Sequence, residues 1–399
     1  MFDSGNVVVG LEIGTHKVCA AVGELASNGA FTVLGLGQAR SRGVRKGEIT
    51  DPQKASDDIR QALTEAEQMA DWEIPSVFLG VTGAHVRGFN NRGIHPVVSA
   101  DREITQDDVD DAIRNAKAVN LPADHAVLHT VRQDFQVDDR DGVENPVRMV
   151  GARVEARVHV IHGHGNRIQN SIRAVQSLQL TVEQAVFNGL ASALAVLNKD
   201  HKQMGALVID LGAGATEFAL YSDSILRHSG ALAVGGDHVS NDLAIGLKLP
   251  LGRAEQLKIE HGSAIFCPVD PGQTVALNLD SGLPDRSVSL EQLRRIQSMR
   301  MEEILELIAR DVGPLLGMAR AGVFLCGGGA RMTDLVPLAE RIFQLPVSIG
   351  RTQDVSGSVE SLDQPEFATA IGLARFGAMR LTGRPQRTWR SALGNWFRR

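Results

Sequence analysis

The sequence predicts an α/β protein that is internally duplicated. Two matched glycine hairpins carry that reading, and a third glycine turn supports it. Residues 7–14 read Val-Val-Val-Gly-Leu-Glu-Ile-Gly, and a polar turn leads into Val18-Cys19-Ala20-Ala21-Val22. Residues 206–214 read Ala-Leu-Val-Ile-Asp-Leu-Gly-Ala-Gly, and a turn leads into Phe218-Ala219-Leu220-Tyr221. Each is a β-rich run, an acid–apolar–glycine corner, a turn and a second strand. Glu12 and Asp210, the two acids, lie 198 positions apart, about half the chain. That spacing fits a duplicated unit. The third turn, Gly327-Gly328-Gly329, follows the apolar run Val323-Phe324-Leu325-Cys326. Thr333 or Asp334 after it is placed to cap a helix.

The remaining elements follow in order. Asp51-Pro52 supplies an N-cap and a first-turn proline, with Ala55, Ile59, Leu63 and Ala66 on one face. Val77–Val81 reads as a strand. Thr105 caps a second helix with Asp107 and Asp108 in its first turn, where acids suit the helix dipole. In it Val109, Ile113 and Ala116 face inward. Residues 127–137 and 150–161 read as strands around a charged loop, and residues 166–178 as a helix. Residues 184–197 are expected to form one connecting helix and 366–377 another. Their small residues (Gly189, Ala191, Ala193; Ala368, Ala370, Gly372, Ala374) would let the two cross closely. A Met- and Arg-rich helix is expected over 289–310 and a loop over 356–364.

The 399 residues correspond to two or three domains at about 150 residues each. Hydrophobic residues at 43% and charged residues at 22% exclude a wholly disordered chain. The 15-residue stretch Gln184 to Asn198 has no formal charge but falls short of the ~20 residues a bilayer span needs. Met1-Phe2-Asp3-Ser4 lacks the basic start of a secretory leader. Cys19, Cys267 and Cys326 form no metal or disulfide framework, which suits a reducing cytoplasm.

Charge is unevenly spread. Net charge is −6, yet the 33 residues from Phe367 onward hold seven arginines and no carboxylate. On a helix, Trp389, Ala392, Leu393, Trp396 and Phe397 fall within an arc of about 140°. Arg390, Arg398 and Arg399 lie outside that arc. Such a helix is ~16 Å long, too short to span but able to lie in a headgroup layer. Each arginine near anionic lipid adds on the order of 1 kcal/mol. Two competing readings are a helix docked on the body or a partner, and a solvated terminus. Tryptophans sharing one face favour lipid over nucleic-acid stacking, so no nucleic-acid partner is expected. Residues 382–388 read as a linker.

Glycine turns let backbone N–H groups approach an anion, and an acid at a strand end can hold a hydrated Mg²⁺. Two facing turns could therefore clamp a triphosphate. His159, His162 and His164 crowd one strand end, and a surface strand end is favoured there over a metal site. Cys326 reads as core rather than nucleophile. Gly-x-Ser-x-Gly, HExxH and GxxxxGK[ST] are absent, which removes the commonest hydrolase and P-loop readings.

Together these pieces resemble the actin/Hsp70/sugar-kinase ATPase superfamily, an RNase H-like fold. Gly10-Leu11-Glu12-Ile13-Gly14-Thr15 resembles its phosphate-1 motif, 210–217 its phosphate-2 motif and 323–332 its adenosine motif. Glu255-Gln256-Leu257-Lys258 resembles its adenine- and ribose-holding helix. Within the superfamily, five features bring the chain closest to the bacterial FtsA cell-division family. They are Val9 to Thr15, Ser41-Arg42-Gly43 with Lys46-Gly47, His159 to His162, Gly189-Leu190-Ala191-Ser192 and the basic Trp-rich tail. The resemblance spans residues 7–399.

The resemblance implies a duplicated actin-like fold with a small inserted β/α subdomain. Domain 1A would take 1–81 and 163–190, the insert (1C) 82–162, domain 2A 191–239 and 313–381, and subdomain 2B 240–312. A membrane helix would follow over 389–399. ATP and Mg²⁺ are the implied cofactors. Nucleotide would be held by Gly14, Thr15, His16, Lys17, Gly212, Ala213, Gly214, Ala215, Glu255, Lys258, Gly327, Gly328 and Gly329. Glu12 and Asp210 would hold Mg²⁺ through water. Implied partners are the tail of the tubulin-like protein FtsZ on 240–312, a second copy in a filament, anionic lipid and other division proteins. The implied location is the inner face of the cytoplasmic membrane at the division site, as a peripheral protein.

The chain departs from the superfamily pattern at Ala213 and Ala215, where a glycine and a threonine are usual. It also has Asn188 where a carboxylate or glutamine usually orients water. Asparagine is no general base, so slow or absent hydrolysis is expected. The rival readings are a pilus-assembly ATPase, a chaperone-type ATPase and a small-molecule kinase of the same fold. Deleting 389–399, or making Trp396→Glu, should release the protein from anionic liposomes in a flotation assay. Unchanged flotation would remove the lipid reading of the tail.

Overall fold

Two sheets of the same design organise the chain. The computed structural model describes residues 6–266, 272–277, 286–357 and 362–382. In the first sheet, Val7–Ile13, Lys17–Leu25 and Phe31–Arg40 form an antiparallel meander. Ser76–Val81 and then Thr181–Phe187 add to it in parallel. In the second, Ala206–Leu211, Thr216–Ser222 and Ile225–Leu232 repeat the meander. Val323–Cys326 and Val347–Ile349 repeat the parallel additions. The duplication inferred from two hairpins therefore extends to five strands per half. The second half also lends Val355–Ser356 to the edge of the first sheet, beside Phe31–Arg40. Every residue of Ala206–Leu211 is buried, as suits a strand covered on both faces.

Two further units are attached. Arg87–Pro96, Arg153–His164, His125–Val137 and Arg140–Val143 form a four-stranded sheet in that spatial order. The helix Gln106–Lys117 packs on it, and Thr105 and Asp108 form its capping box. The other unit contains the helices Gly236–Leu247, Leu251–His261 and Leu290–Val312, with a hairpin of Thr274–Leu277 and Arg286–Ser289. In the first half, Asp51 caps the helix Pro52–Ala70, accepting from the Lys54 N–H at 3.2 Å. The four apolar residues read as its inner face are buried.

Several boundaries differ from the sequence expectation. Gln184–Phe187 is strand, and the helix is only Asn188–Val196. Val182, Val186 and Phe187 suit a strand, and parallel pairing with Ser76–Val81 fixes them there. All nine residues of that helix are buried, so burial outweighs any amphipathic pattern. The last helix begins at Ala368 and runs through Thr382, the first residue of the expected linker. Asp334 holds the N-cap position of Leu335–Phe343, but at φ +59° its side chain makes no capping bond and instead accepts from Ser263 Oγ at 2.7 Å. Ser356, expected in a loop, is strand. The strand expected over 150–161 is Arg153–His164, and Val150 forms only an isolated bridge to Glu103. Residues 383–399, with Trp389, Arg390, Leu393, Trp396, Phe397, Arg398 and Arg399, lie outside the described residues, as does Cys267.

The helices Asn188–Val196 and Ala368–Thr382 cross where the halves meet. A Cβ on Gly372 would lie 1.8 Å from the Ala191 carbonyl oxygen, so only glycine permits that approach. Gly372→Val should lower stability in urea unfolding by about 1–3 kcal/mol or more. Gly252→Ala, in open space on helix Leu251–His261, should change it by under about 1 kcal/mol. Equal effects would mean the crossing is not tight in solution.

Candidate nucleotide-binding site

The two hairpins face each other across one cavity of about 370 Å³ between the halves. Their turns are built alike. Gly14 N–H donates to Lys17 O at 2.9 Å, and Gly212 N–H donates to Ala215 O at 3.0 Å. All fifteen residues expected to hold nucleotide or metal line this cavity: Glu12, 14–17, Asp210, 212–215, Glu255, Lys258 and 327–329. They come from positions as far apart as Glu12 and Gly329, and the crossing of the halves brings them together.

Asp210 is the best-anchored acid. Its Oδ2 accepts from Ser192 Oγ at 2.6 Å and from Thr369 Oγ1, one hydroxyl from each crossing helix. Gly327, at φ +80°, passes so close that a Cβ there would sit 2.3 Å from Asp210 Oδ1. No L-side chain fits there in backbone conformation or in space. Glu12 is half-buried; its Oε2 is shielded from solvent and lacks a hydrogen bond, and its nearest cation is Lys17 Nζ at 3.6 Å. Burial pushes the Glu12 carboxyl above the usual range; Lys17 opposes that rise and Asp210 adds to it. Burial works against the Lys17 charge, but Cys19 and Glu12 outweigh it and hold Lys17 protonated. Lys17 also donates to the Glu366 carbonyl, tying the first hairpin to the second half.

The far end is less acidic. Lys258 Nζ donates to Glu255 Oε2 at 2.7 Å and to Gly236 O at 3.1 Å. Burial alone would raise Glu255, but Lys258 and the Ser240 hydroxyl bring it below the usual carboxylate range. Met301 and Ile304 supply an apolar wall from helix Leu290–Val312. Apolar wall at one end, glycine turns and acids at the other: this division suits a ligand with a flat ring and a phosphate chain.

Sequence reasoning missed Thr82 and the bonds made by Glu217, Ser192 and Thr369. Thr82 and Glu217 line the cavity, and the Thr82 hydroxyl donates to Glu217. Asn188, named from the sequence at the water-orienting position, does line the cavity, buried, with Oδ1 lacking a hydrogen bond. Ser192 sat within a quoted motif, but its bond to Asp210 had no sequence signal beyond a hydroxyl in an apolar run. Thr369, polar among alanines, carried the same faint signal. Thr216 turns away, donating to Val234 O at 2.7 Å, and so does not replace the threonine missing at 215.

The histidine reading changes. His159 and His162 are buried rather than at a surface strand end. Their partners differ: His159 meets Asn90 and Ser229, His162 meets His125, and His164 meets Asp124. Among the described residues no set of three His, Cys, Asp or Glu is arranged to hold a metal ion alone. Cys326 is buried core, as expected.

Two family models match the chain, "Cell division protein FtsA" over residues 207–372 and "SHS2 domain inserted in FTSA" over 83–162. The cell division protein FtsA of Pseudomonas aeruginosa is 36% identical over 94% of this chain and 90% of its own length. The chain belongs to the FtsA family of cell division proteins. The family's member in Escherichia coli K12 is 34% identical over 98% and 96% of the two chains. That in Neisseria meningitidis serogroup B is 38% identical over 91% and 88%. The PilM–PilN type IV pilus biogenesis complex superposes with TM-score 0.63 at 16% identity, covering 93% of this chain and 98% of the other. MreB5 of Spiroplasma citri bound to ADP superposes at 0.55 and 15% identity, covering 94% and 98%. The fold is therefore actin-like, with an SHS2 insertion.

Glu217 gives this site a pH signature. Burial, then Asp210 nearby, push its carboxyl up to about 8 from 4.5. Between those values the folded ligand-free protein keeps a proton that the unfolded chain has lost, so its stability falls as pH rises. Glu217→Gln should flatten that decline in urea titrations at several pH values. An unchanged slope would mean Glu217 is ionised in the fold.

Proposed function

We propose that this chain binds ATP with Mg²⁺ in the cavity between its halves and tethers FtsZ filaments to the inner face of the cytoplasmic membrane. One observation carries the nucleotide reading: two like-built glycine turns and their acids converge on a single cavity. Gly14 to Lys17 and Gly212 to Ala215 hold the phosphates. Gly327, Gly328 and Gly329, with Glu255 and Lys258, hold adenine and ribose. The residues fit the metal: Glu12 has a solvent-shielded oxygen without a hydrogen bond, with Lys17 Nζ 3.6 Å away, and Asp210 stands beside it with one oxygen already fixed. Glu12 and Asp210 would hold Mg²⁺ through water, and the ion would supply charge neutralisation for the phosphates. A shielded carboxylate oxygen short of a hydrogen bond is costly, so an arriving cation relieves it.

Hydrolysis is slow or absent in this reading. Asn188 can orient water but cannot take its proton. ATP then acts as a bond between the halves, and closure governs assembly with further copies. The division into 1A, 1C, 2A and 2B at the boundaries given above belongs to the same proposal. FtsZ's tail would dock on 240–312, and the peripheral attachment to anionic lipid would come from 389–399. No helix among the described residues is long and apolar enough to cross a membrane. Other division proteins complete the partner set, at the division site.

The test is co-sedimentation of the full chain with anionic vesicles and FtsZ, with and without ATP. FtsZ should pellet with vesicles only when this chain is present; its absence from the pellet would overturn the tether. Equilibrium dialysis should show retained ATP, weakened about tenfold or more by Glu12→Ala or by chelating Mg²⁺. No retained ATP would overturn the nucleotide reading. Phosphate release at the ~1–10³ s⁻¹ of ordinary enzymes would overturn slow hydrolysis.

A further inference from the structure

Thr82 belongs to two places at once. It lines the cavity, and it is where the chain leaves strand Ser76–Val81 to enter the inserted unit. Its hydroxyl donates to Glu217 of the second half. Glu217 lies on Thr216–Ser222, whose hairpin partner is Ile225–Leu232, with Glu217 opposite Ala231 and Ala219 opposite Ser229.

The inserted unit also grips that partner strand. Asn90 Nδ2 donates to Arg227 O at 3.1 Å, and Gln133 Nε2 donates to Leu226 O at 2.7 Å. Arg227 Nη1 pairs with Asp134 Oδ2 at 3.0 Å. His159 sits at the centre, buried, with Nδ1 2.6 Å from Asn90 Oδ1 and Nε2 2.7 Å from Ser229 Oγ. Asn90 Oδ1 also accepts from Gln133, so it is an acceptor. His159 therefore carries its proton on Nδ1, and Nε2 accepts the Ser229 hydroxyl. Gly88 lies flush against Ser229, where a Cβ would be 2.5 Å from Oγ.

One insert, covalently part of the first half, thus holds both strands of one hairpin of the second half. One of those grips lies inside the cavity. We propose that Thr82 is a positioning residue that passes occupation of the cavity to the inserted unit, through Glu217 and the hairpin gripped at Ser229. This rests on the nucleotide reading above. A polyphosphate with its cation, arriving beside Glu12, Asp210 and Glu217, competes with Thr82 for the Glu217 carboxyl. A change in that bond shifts the hairpin on which the insert is docked. Coupling between sites needs a shared element that both bias, and this hairpin is that element.

Hydrogen–deuterium exchange on the full chain tests this, read at 153–164 and 225–232 with and without saturating ATP–Mg²⁺. ATP should change exchange there by about fivefold or more in the wild type. Thr82→Val, at ATP levels that saturate the variant, should lose the change, and Thr82→Ser should restore it. Ser229→Ala should bind ATP as the wild type does yet pass on a smaller response at 153–164. A full response in Thr82→Val, or none in an ATP-loaded wild type, overturns the proposal. If the wild type retains no ATP in dialysis, the nucleotide reading falls instead. The grip is then read without ligand: Ser229→Ala should speed exchange at 153–164, and unchanged exchange overturns it.

Discussion

Asp210 is held by two hydroxyls that belong to different helices, and the architecture is arranged around that meeting. Ser192 and Thr369 stand 2.9 Å apart where the helices cross, and both reach the same carboxylate oxygen. Their contact requires the close crossing that Gly372 permits. The carboxylate in turn requires glycine at 327. The packing of the halves and the orientation of the central acid are thus one constraint. Loosening the crossing would free the acid to rotate, and a freed acid would relax the mouth of the cavity.

The electrostatics of the cavity follow from placing three carboxyls, Glu12, Asp210 and Glu217, in one buried space. Among the described residues, only Lys17 is placed to offset Glu12 directly. Glu217 answers by staying protonated toward neutral pH, and Asp210 by accepting hydroxyl bonds. Glu12 keeps an oxygen with no hydrogen bond. A surplus of shielded negative charge raises the cost of the ligand-free state, and a divalent cation beside Glu12 and Asp210 would relieve it.

Much of this was legible in the sequence because the signals are local. Acid–apolar–glycine corners between β-rich runs mark the turns whatever lies elsewhere, and Glu255 and Lys258 are one helical turn apart. Small residues in two helices announced their crossing. What stayed hidden depends on tertiary pairing. Gln184–Phe187 looks helical until Ser76–Val81 lies beside it. His159 looks exposed until Ile225–Leu232 covers it. Thr82 and Glu217 are 135 positions apart, and nothing in either neighbourhood names the other.

The helix Ala368–Thr382 is a rod of 15 residues, ~22 Å long, with Thr369 near one end and the arginine-rich terminus continuing from the other. The helix is thus a continuous covalent and hydrogen-bonded path from Thr382 to the hydroxyl that steadies Asp210. The far end of the helix and the central acid therefore share one rigid element, so a displacement at one is felt at the other.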